Sequence, residues 1–140
     1  MKGERIPDPH HISRYCKATQ APDGQIQATA FMLRAGDESL SVSCLEKLDC
    51  QDRDSEIAQL RIIYATKLNV GARSRIAILN VGEVRHKVFA ETPERRNLEV
   101  LHDPLIEDPS HSGIYNLKKD DELIAELILE TVRETYSARK

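Results

Sequence analysis

The sequence predicts one α+β domain over residues 1–140: a twisted, mainly antiparallel sheet of about four to five strands with two main helices packed on one face. Three observations favour this class. Residues 55–68 and 121–132 carry apolar side chains every three to four positions, as amphipathic helices do. Several other segments are short and either alternate or are apolar throughout, which is typical of strands. The two kinds of element do not alternate strictly, so a parallel sheet is not expected.

The first part of the chain is expected to hold a single strand. Residues 1–12 are polar, contain two prolines that favour extended backbone, and form a possible arm laid over the domain. Residues 21–24, Ala-Pro-Asp-Gly, have the composition of a tight turn. Residues 25–33 are predicted to be a strand that enters from the rim of the sheet.

The next part of the chain predicts the first main helix. Residues 39–42 are expected to be extended, and residues 44–48 to make a helical turn. Asp54 or Ser55 is expected to cap the helix, because a side-chain oxygen there can accept an amide proton. The apolar stripe then continues to Leu68, and a glycine shortly after it favours the end of the helix.

The segment after this helix is the most apolar of the chain. Residues 76–81 predict a strand buried on both faces. Residues 83–91 fit either a helical turn or a strand, and we expect the turn.

The last part of the chain is expected to end in a helix. Strands are predicted at residues 98–102 and 114–117, with a loop between them that contains two Asp-Pro steps. The helix is expected to begin at Asp120 or Asp121 and to continue through Val132. Basic residues follow near the C-terminus, where they suit the negative end of a helix dipole.

Composition excludes several classes of protein. The chain has 20 Lys+Arg against 23 Asp+Glu and a net charge of -3, whereas a dedicated duplex-DNA binder usually carries a basic excess. No apolar run approaches the length of a membrane span, and the first residues lack the apolar core of a signal peptide. We therefore expect no duplex nucleic acid and no membrane as partners, and a cytoplasmic location.

The cysteines and histidines predict neither a disulfide framework nor a metal site. Cys16, Cys44 and Cys50 are expected to be free thiols, since their number is odd and no export signal is present. Metal motifs of the HxH, HExxH or CxxC kind are absent, so no metal and no cofactor are expected. Scattered residues could still meet in space as metal ligands, namely His11, His102 and His111 with Asp103 or Asp108.

One polar segment, residues 10–16 (His-His-Ile-Ser-Arg-Tyr-Cys), gathers side chains that can carry chemistry. Arg14 offers a planar set of donors for phosphate or carboxylate, and His11 offers a group that transfers protons. His11, Arg14 and Tyr15 share a face only if the segment curls, because in a strand Arg14 would oppose the other two. We expect a helical turn or a tight bend that presents His11 and Arg14 to one pocket, which His111 reaches from the later loop. An arm that merely docks by hydrogen bonds is the alternative.

A second segment, residues 108–113 (Asp-Pro-Ser-His-Ser-Gly), combines small polar side chains with a histidine. A turn here can expose backbone amides and His111 to a ligand, and Ser110 and Ser41 are further candidates to bind it. A turn capped by its own Asp and Ser side chains is the alternative. Cys16 could also act as a nucleophile with His111 as its base, although a lone cysteine is more often a small buried apolar group.

These segments resemble those of a group of small uncharacterised bacterial proteins. HISRYC, TAFMLRAGDESLSVSCLEKL, RIAILNVG and DPSHSGIY occur in the same order, and the likeness covers most of the chain. The group brings no established activity, so it implies no mechanism. In the group an Asn-Trp pair stands where this chain has Ser43-Cys44, which implies that a large aromatic side chain has been lost here. The positions that the resemblance supports are His11, Arg14, Tyr15, Ser41, Glu46 and His111.

Two functions of different classes follow as hypotheses. The first is a non-catalytic binding or regulatory module that recognises a protein partner or a small anionic ligand through residues 10–16 and 108–113, because no complete catalytic signature is present. The alternative is a histidine-dependent enzyme that acts on a phosphoester or nucleotide, with His11 and His111 as acid and base and Arg14 holding the anion. A weaker variant is an ADP-ribosyl-transfer-like site. Convergence of the two histidines with Arg14 in one cleft would favour the enzyme.

Overall fold

The computed structural model describes residues 3–139. Within them, seven strands form one sheet in the order β1-β5-β6-β3-β2-β4-β7, and each neighbouring pair is antiparallel. The strands are β1 (Glu4–Arg5), β2 (His11–Cys16), β3 (Leu40–Cys44), β4 (Arg75–Asn80), β5 (Glu99–His102), β6 (His111–Tyr115) and β7 (Glu134–Ser137). The α-helices of this part of the chain are α1 (Arg53–Lys67), α2 (Val81–Glu91) and α3 (Glu122–Leu129). Residues 1–2 and 140, which belong to the predicted arm and to the basic end of the predicted last helix, lie outside the described residues.

The predicted α+β class with a mainly antiparallel sheet is confirmed, but four to five strands and two main helices understate it. The helices also lie on both faces of the sheet, so the prediction of helices on one face is wrong. Ile76 and Ile78 of β4 join α1 in one buried cluster, whereas Ala77 and Leu79 join α2 and α3 in another. The reason is that β4 is apolar on both sides and needs cover on each. We call these sides the α1 face and the α2–α3 face.

Helix α1 agrees with the predicted first main helix. Asp52 caps it by accepting the N–H of Ser55 at 2.8 Å, slightly before the expected cap. The turn predicted at residues 44–48 is present as a 3-10 helix at Leu45–Leu48. The side chains that α1 buries against the sheet are Ile57, Leu60, Ile63 and Tyr64.

Helix α2 occupies the segment that fits both a turn and a strand. It follows β4 directly, because the side chain of Asn80 accepts the N–H of Glu83 at 2.9 Å and so caps the helix. Val84 and Val88 are buried in the core of the α2–α3 face. The expected helical turn is therefore part of a complete helix.

The last helix is shorter than expected, and an unpredicted strand follows it. Helix α3 begins after Asp121, one of the two predicted caps, whose carboxylate accepts the N–H of Ile124 at 3.0 Å. It ends at Leu129 instead of continuing through Val132, and β7 then pairs with β4. The free edge of β4 explains the difference, since its backbone groups need partners and β7 supplies them.

The strand predicted at residues 25–33 is wrong. Ala28–Phe31 form a 3-10 helix that buries Ala30 and Phe31 in the core of the α2–α3 face. Both sides of β2 are already paired, with β3 and with β4. The segment therefore has no strand edge to join there, and it covers the sheet instead.

The predicted N-terminal arm is in part a strand. In β1, Glu4 pairs with His102 at one edge of the sheet. Residues 6–10 then cross towards β2, which lies beyond β5, β6 and β3 in the strand order. Ile6 is buried in the core on this path, so the crossing segment belongs to the folded structure.

Strands β5 and β6 correspond to the two strands predicted around residues 98–117. Strand β6 begins at His111, which is inside the predicted loop. Backbone pairing with β3 explains the earlier start, since His111 lies opposite Ser43.

Two expectations from composition can be compared with the structure. Cys16, Cys44 and Cys50 are free thiols, as predicted. Between residues 3 and 139, no helix has both the length and the apolar character that crossing a bilayer requires.

Candidate functional site

One end of the sheet brings many of the candidate side chains into the same region. Strands β2 and β6 begin there, and β3, β4 and β5 end there, because neighbouring strands run in opposite directions. His10, His11, His102 and His111 lie at this end. We call it the histidine end of the sheet.

Arg14 does not share a pocket with His11. Residues 11–16 form a strand, so the helical turn or tight bend predicted for residues 10–16 is wrong. Side chains alternate between the faces of a strand, and Arg14 therefore lies on the opposite face from His11 and Tyr15. The physical reason is the position of β2 between β3 and β4, which satisfies its backbone groups on both sides.

The side chain of Arg14 is instead bound to the protein's own backbone. Its Nε donates to the carbonyl oxygen of Ala30 at 2.8 Å, and its Nη1 donates to that of Ser41 at 2.9 Å. Burial lowers the pKa of this guanidinium from its usual value. Arg14 thus links β2 and β3 to the 3-10 helix at Ala28–Phe31, which covers the sheet.

His11 is bound by Glu46, which follows β3. The backbone N–H of His11 donates to Oε1 of Glu46 at 2.8 Å, and its Nδ1 lies 2.9 Å from Oε2. Burial alone would raise the pKa of Glu46, but these hydrogen bonds from His11 lower it below the ordinary value. Glu46 is therefore an ionised carboxylate at neutral pH.

His111 lies on the same face as His11 but two strands away. Ser13 of β2 pairs with Ser43 of β3, which in turn pairs with His111 of β6. The Nδ1 of His111 lies 2.8 Å from the backbone oxygen of Asp103. The two rings therefore have separate partners.

The other predicted ligand-binding residues differ in exposure. The hydroxyl of Tyr15 lies 2.8 Å from Oγ of Ser74. Ser110 is buried and donates its hydroxyl proton to Asp108. Ser41 has an exposed side chain. Tyr15 is half-buried, so Ser41 is the most exposed of these three residues.

Burial sets the protonation state of the two buried cysteines. It raises the pKa of Cys16 to about 11 in spite of the nearby Arg14. Burial and the charge of Glu46 likewise raise the pKa of Cys44 to about 11. Both are thiols at neutral pH, so Cys16 acts as a small buried apolar group and not as an activated nucleophile.

A buried charge pair anchors the loop between β5 and β6 to the end of α1. Nζ of Lys67 lies 2.9 Å from Oδ2 of Asp108, which is fully buried. Ser43 donates to the same oxygen at 3.1 Å, and the backbone N–H of Ser110 donates to Oδ1 at 3.0 Å. Burial alone would raise the pKa of Asp108, but hydrogen bonds from Ser110 and Lys67 lower it. The sequence Asp-Pro-Ser at residues 108–110 suggested a turn capped by its own side chains. It did not suggest that Lys67 would pair with Asp108.

Tyr64 of α1 provides a second polar contact on the same face. Its hydroxyl lies 2.7 Å from Oγ of Ser13, and both groups are buried. Burial raises the pKa of Tyr64 to about 12. The phenol is therefore neutral and satisfies a serine that would otherwise be buried without a partner.

A shallow depression of about 550 Å³ lies beside the start of α2. A helix N-terminus can bind an anion when its amides are free. Here the amides of residues 81–83 donate to His10, Asp8 and Asn80 at 3.0, 3.0 and 2.9 Å. The depression is also lined by the acidic residues Asp8, Glu83 and Glu130. The amides at the start of α2 are therefore not free to bind an anion there.

Three groups able to bind a metal meet at the histidine end. One ring nitrogen of His10, Sγ of Cys44 and one carboxylate oxygen of Glu46 lie within 4.8 Å of one another. Linear spacing did not reveal this cluster, because it is the pairing of β2 with β3 that joins its members. The scattered set considered from the sequence, centred on His102 and His111, does not meet in this way within the described part of the chain.

No protein-family model, no curated protein and no solved structure matches this chain. Its function is therefore inferred from the geometry of the residues described above.

Proposed function

We propose that this chain is a non-catalytic binding module that recognises a protein partner through the loop between β5 and β6, residues 103–110. The observation that carries this proposal is the side chain of Ile106, which is 101% exposed. A large apolar side chain left wholly in water by its own fold offers a contact for another protein, where its burial is favourable.

The loop that carries Ile106 is closed by its own hydrogen bonds. Leu105 donates its N–H to the carbonyl of Asp108 at 3.0 Å, and Asp108 donates to that of Leu105 at 3.2 Å, which closes a tight turn. The side chain of Asp108 forms an ion pair with Lys67 at the end of α1. A pre-ordered loop loses little conformational entropy on binding, so more of the contact energy of Ile106 contributes to affinity.

The neighbours of Ile106 indicate the chemistry of the partner. Leu105 is 37% exposed and extends the apolar tip. Asp103 and Glu107 add negative charge on either side of it. A complementary surface has an apolar pocket with Lys or Arg at its rim.

Two features favour a protein partner over a small anion or a histidine-dependent reaction. Arg14, the expected anion-binding group, donates to backbone oxygens on the other face of the sheet. His11 and His111 have separate partners, the first on Glu46 and the second on a backbone oxygen. We also propose a cytoplasmic location, which the three free thiols support.

The experiment compares immobilised parent protein with Ile106→Asp and with the control Ile62→Asp, which changes an isoleucine that is 61% exposed on α1. We expect the parent and Ile62→Asp to retain the same protein from an extract of the source cells, and Ile106→Asp to retain at least about tenfold less. Circular dichroism confirms that each variant is folded. Equal retention by Ile106→Asp, or no protein retained by the parent above a blank resin, would show that the loop is not a binding surface.

A further inference from the structure

We propose that His10, Cys44 and Glu46 form a binding site for a zinc-like divalent metal ion at the histidine end of the sheet. The three ligand atoms lie within 4.8 Å of one another. Ligands of a tetrahedral zinc ion are roughly 3.3–3.8 Å apart, given bonds of about 2.0–2.3 Å. Sγ of Cys44 already lies 3.7 Å from Oε1 of Glu46, so side-chain rotations that move the ligand atoms by at most about an ångström complete the geometry.

An independent observation at His10 points to a missing partner. The Nδ1 of His10 is buried and has no hydrogen-bond partner among residues 3–139. Leaving a buried polar nitrogen unsatisfied costs free energy, and such atoms are rare in folded proteins. A metal ion bound directly by this Nδ1 removes that cost, because the lone pair of the nitrogen then has a partner.

The fold places the three ligands before any metal binds. Ile12 of β2 pairs with Cys44 of β3, so His10, two residues before Ile12, falls on the same face as Cys44. The carbonyl of His10 is fixed by hydrogen bonds from the start of α2, with Val81 N at 3.0 Å and Asn80 Nδ2 at 3.2 Å. The site therefore needs little backbone movement to form.

His11 orients the carboxylate of Glu46 and is a positioning residue for the site. It holds both oxygens, one through its backbone N–H and one through its ring. Each carboxylate oxygen has two lone pairs, so Glu46 can keep these bonds and still bind a metal. Metal-binding carboxylates are commonly held by such outer hydrogen bonds.

The donor set selects the class of metal. Calcium and magnesium take oxygen ligands, whereas a thiolate, an imidazole and a carboxylate together suit zinc. Two negative ligands, from Cys44 and Glu46, balance the charge of a divalent ion. The thiol of Cys44 loses its proton to solvent as the sulfur–metal bond forms. Glu46 lies at the surface, which leaves the fourth position open to water.

The experiment uses the full chain, stripped of metal with a chelator and titrated with Co²⁺ and then Zn²⁺. Cobalt bound by a thiolate gives a charge-transfer band in the near ultraviolet and strong visible bands when four-coordinate. We expect a single cobalt ion per chain to produce both signals, and zinc to displace it. The absence of the charge-transfer band from the parent protein would overturn the site.

Matched variants identify the ligands. Cys44→Ser should lose the charge-transfer band, whereas the control Cys50→Ser should keep it. Because Cys44 is buried, Glu46→Gln provides a surface variant that leaves the core intact, and it should weaken zinc binding by more than about tenfold. His86→Ala, at an exposed histidine, should bind zinc like the parent. Zinc binding by Glu46→Gln at the parental affinity, or loss of the band in Cys50→Ser, would refute the assignment.

Discussion

The buried pair of Lys67 and Asp108 gives the sharpest test of how the candidate loop is held. Lys67→Met keeps the length and apolar stem of the side chain but removes its charge. Asp108 is then buried without its cation, although it keeps the hydrogen bonds from Ser43 and Ser110. Breaking a buried pair costs about 3–5 kcal/mol, and we expect the lower end, about 3 kcal/mol, because the Asp108 carboxylate stays hydrogen-bonded.

The assay is unfolding in urea, with Lys87→Met as the control. Lys87 forms surface ion pairs with Glu91 and Glu130 at 2.7 and 2.9 Å, and pairs of this kind contribute little. The control should therefore lose much less stability than Lys67→Met. A free energy of unfolding for Lys67→Met within about 0.5 kcal/mol of the parent would refute the reasoning, since this is the range of ordinary surface substitutions.

Acid provides a second readout of the same pair. The pKa of Asp108 is lowered from 3.8 in the folded protein, so its ionised form stabilises the fold above about pH 4. That stabilisation is lost as the pH falls through the folded pKa. In Lys67→Met the pKa of Asp108 is no longer lowered by the ammonium. The difference in stability between parent and variant should therefore shrink as the pH falls through the folded pKa of Asp108.

Two further substitutions test the assignment of buried groups. Leu127 of α3 is 4% exposed, and Leu127→Ala should cost about 2–5 kcal/mol in denaturant unfolding through lost burial and a cavity; a loss under about 0.5 kcal/mol would place the wrong face of α3 in the core. Arg14→Ala should lower the melting temperature clearly, since it leaves two backbone oxygens without a charged donor, each such bond contributing about 1.5–3 kcal/mol. An unchanged melting temperature would instead support the exposed, ligand-binding arginine expected from the sequence.

The elements that the sequence predicts well are those whose signal is local. The apolar stripes and capping residues of α1 and α3 lie within a few positions of one another, and their starting points agree with the structure closely. The signal for β4 is also local, because it is a continuous run of apolar residues. Two of the errors concern residues 25–33 and 134–137, where the outcome depends on which strand edges are free. That information belongs to the assembled sheet and not to the segment.

In the candidate site, too, the features with a local signal were predicted and those that depend on strand pairing were not. The composition of residues 10–16 indicated the correct region, since His10 and His11 lie at the histidine end. It did not indicate that the segment is a strand, and so it placed Arg14 on the wrong side. Cys44 and Glu46 became neighbours of these histidines only through the pairing of β2 with β3.

The strand order also constrains how the chain can fold while it is being synthesised. Strand β1 pairs with β5 through Glu4 and His102, and β4 pairs with β7 through Arg75 and Ser137. Strands β5 and β6 are joined by residues 103–110, whereas most other pairs join distant parts of the chain. Proteins with so many distant contacts fold slowly. A ribosome must therefore release nearly all of the described residues before all the strands of the sheet can pair. Until then the apolar strands of the nascent chain remain exposed to chaperones or to one another.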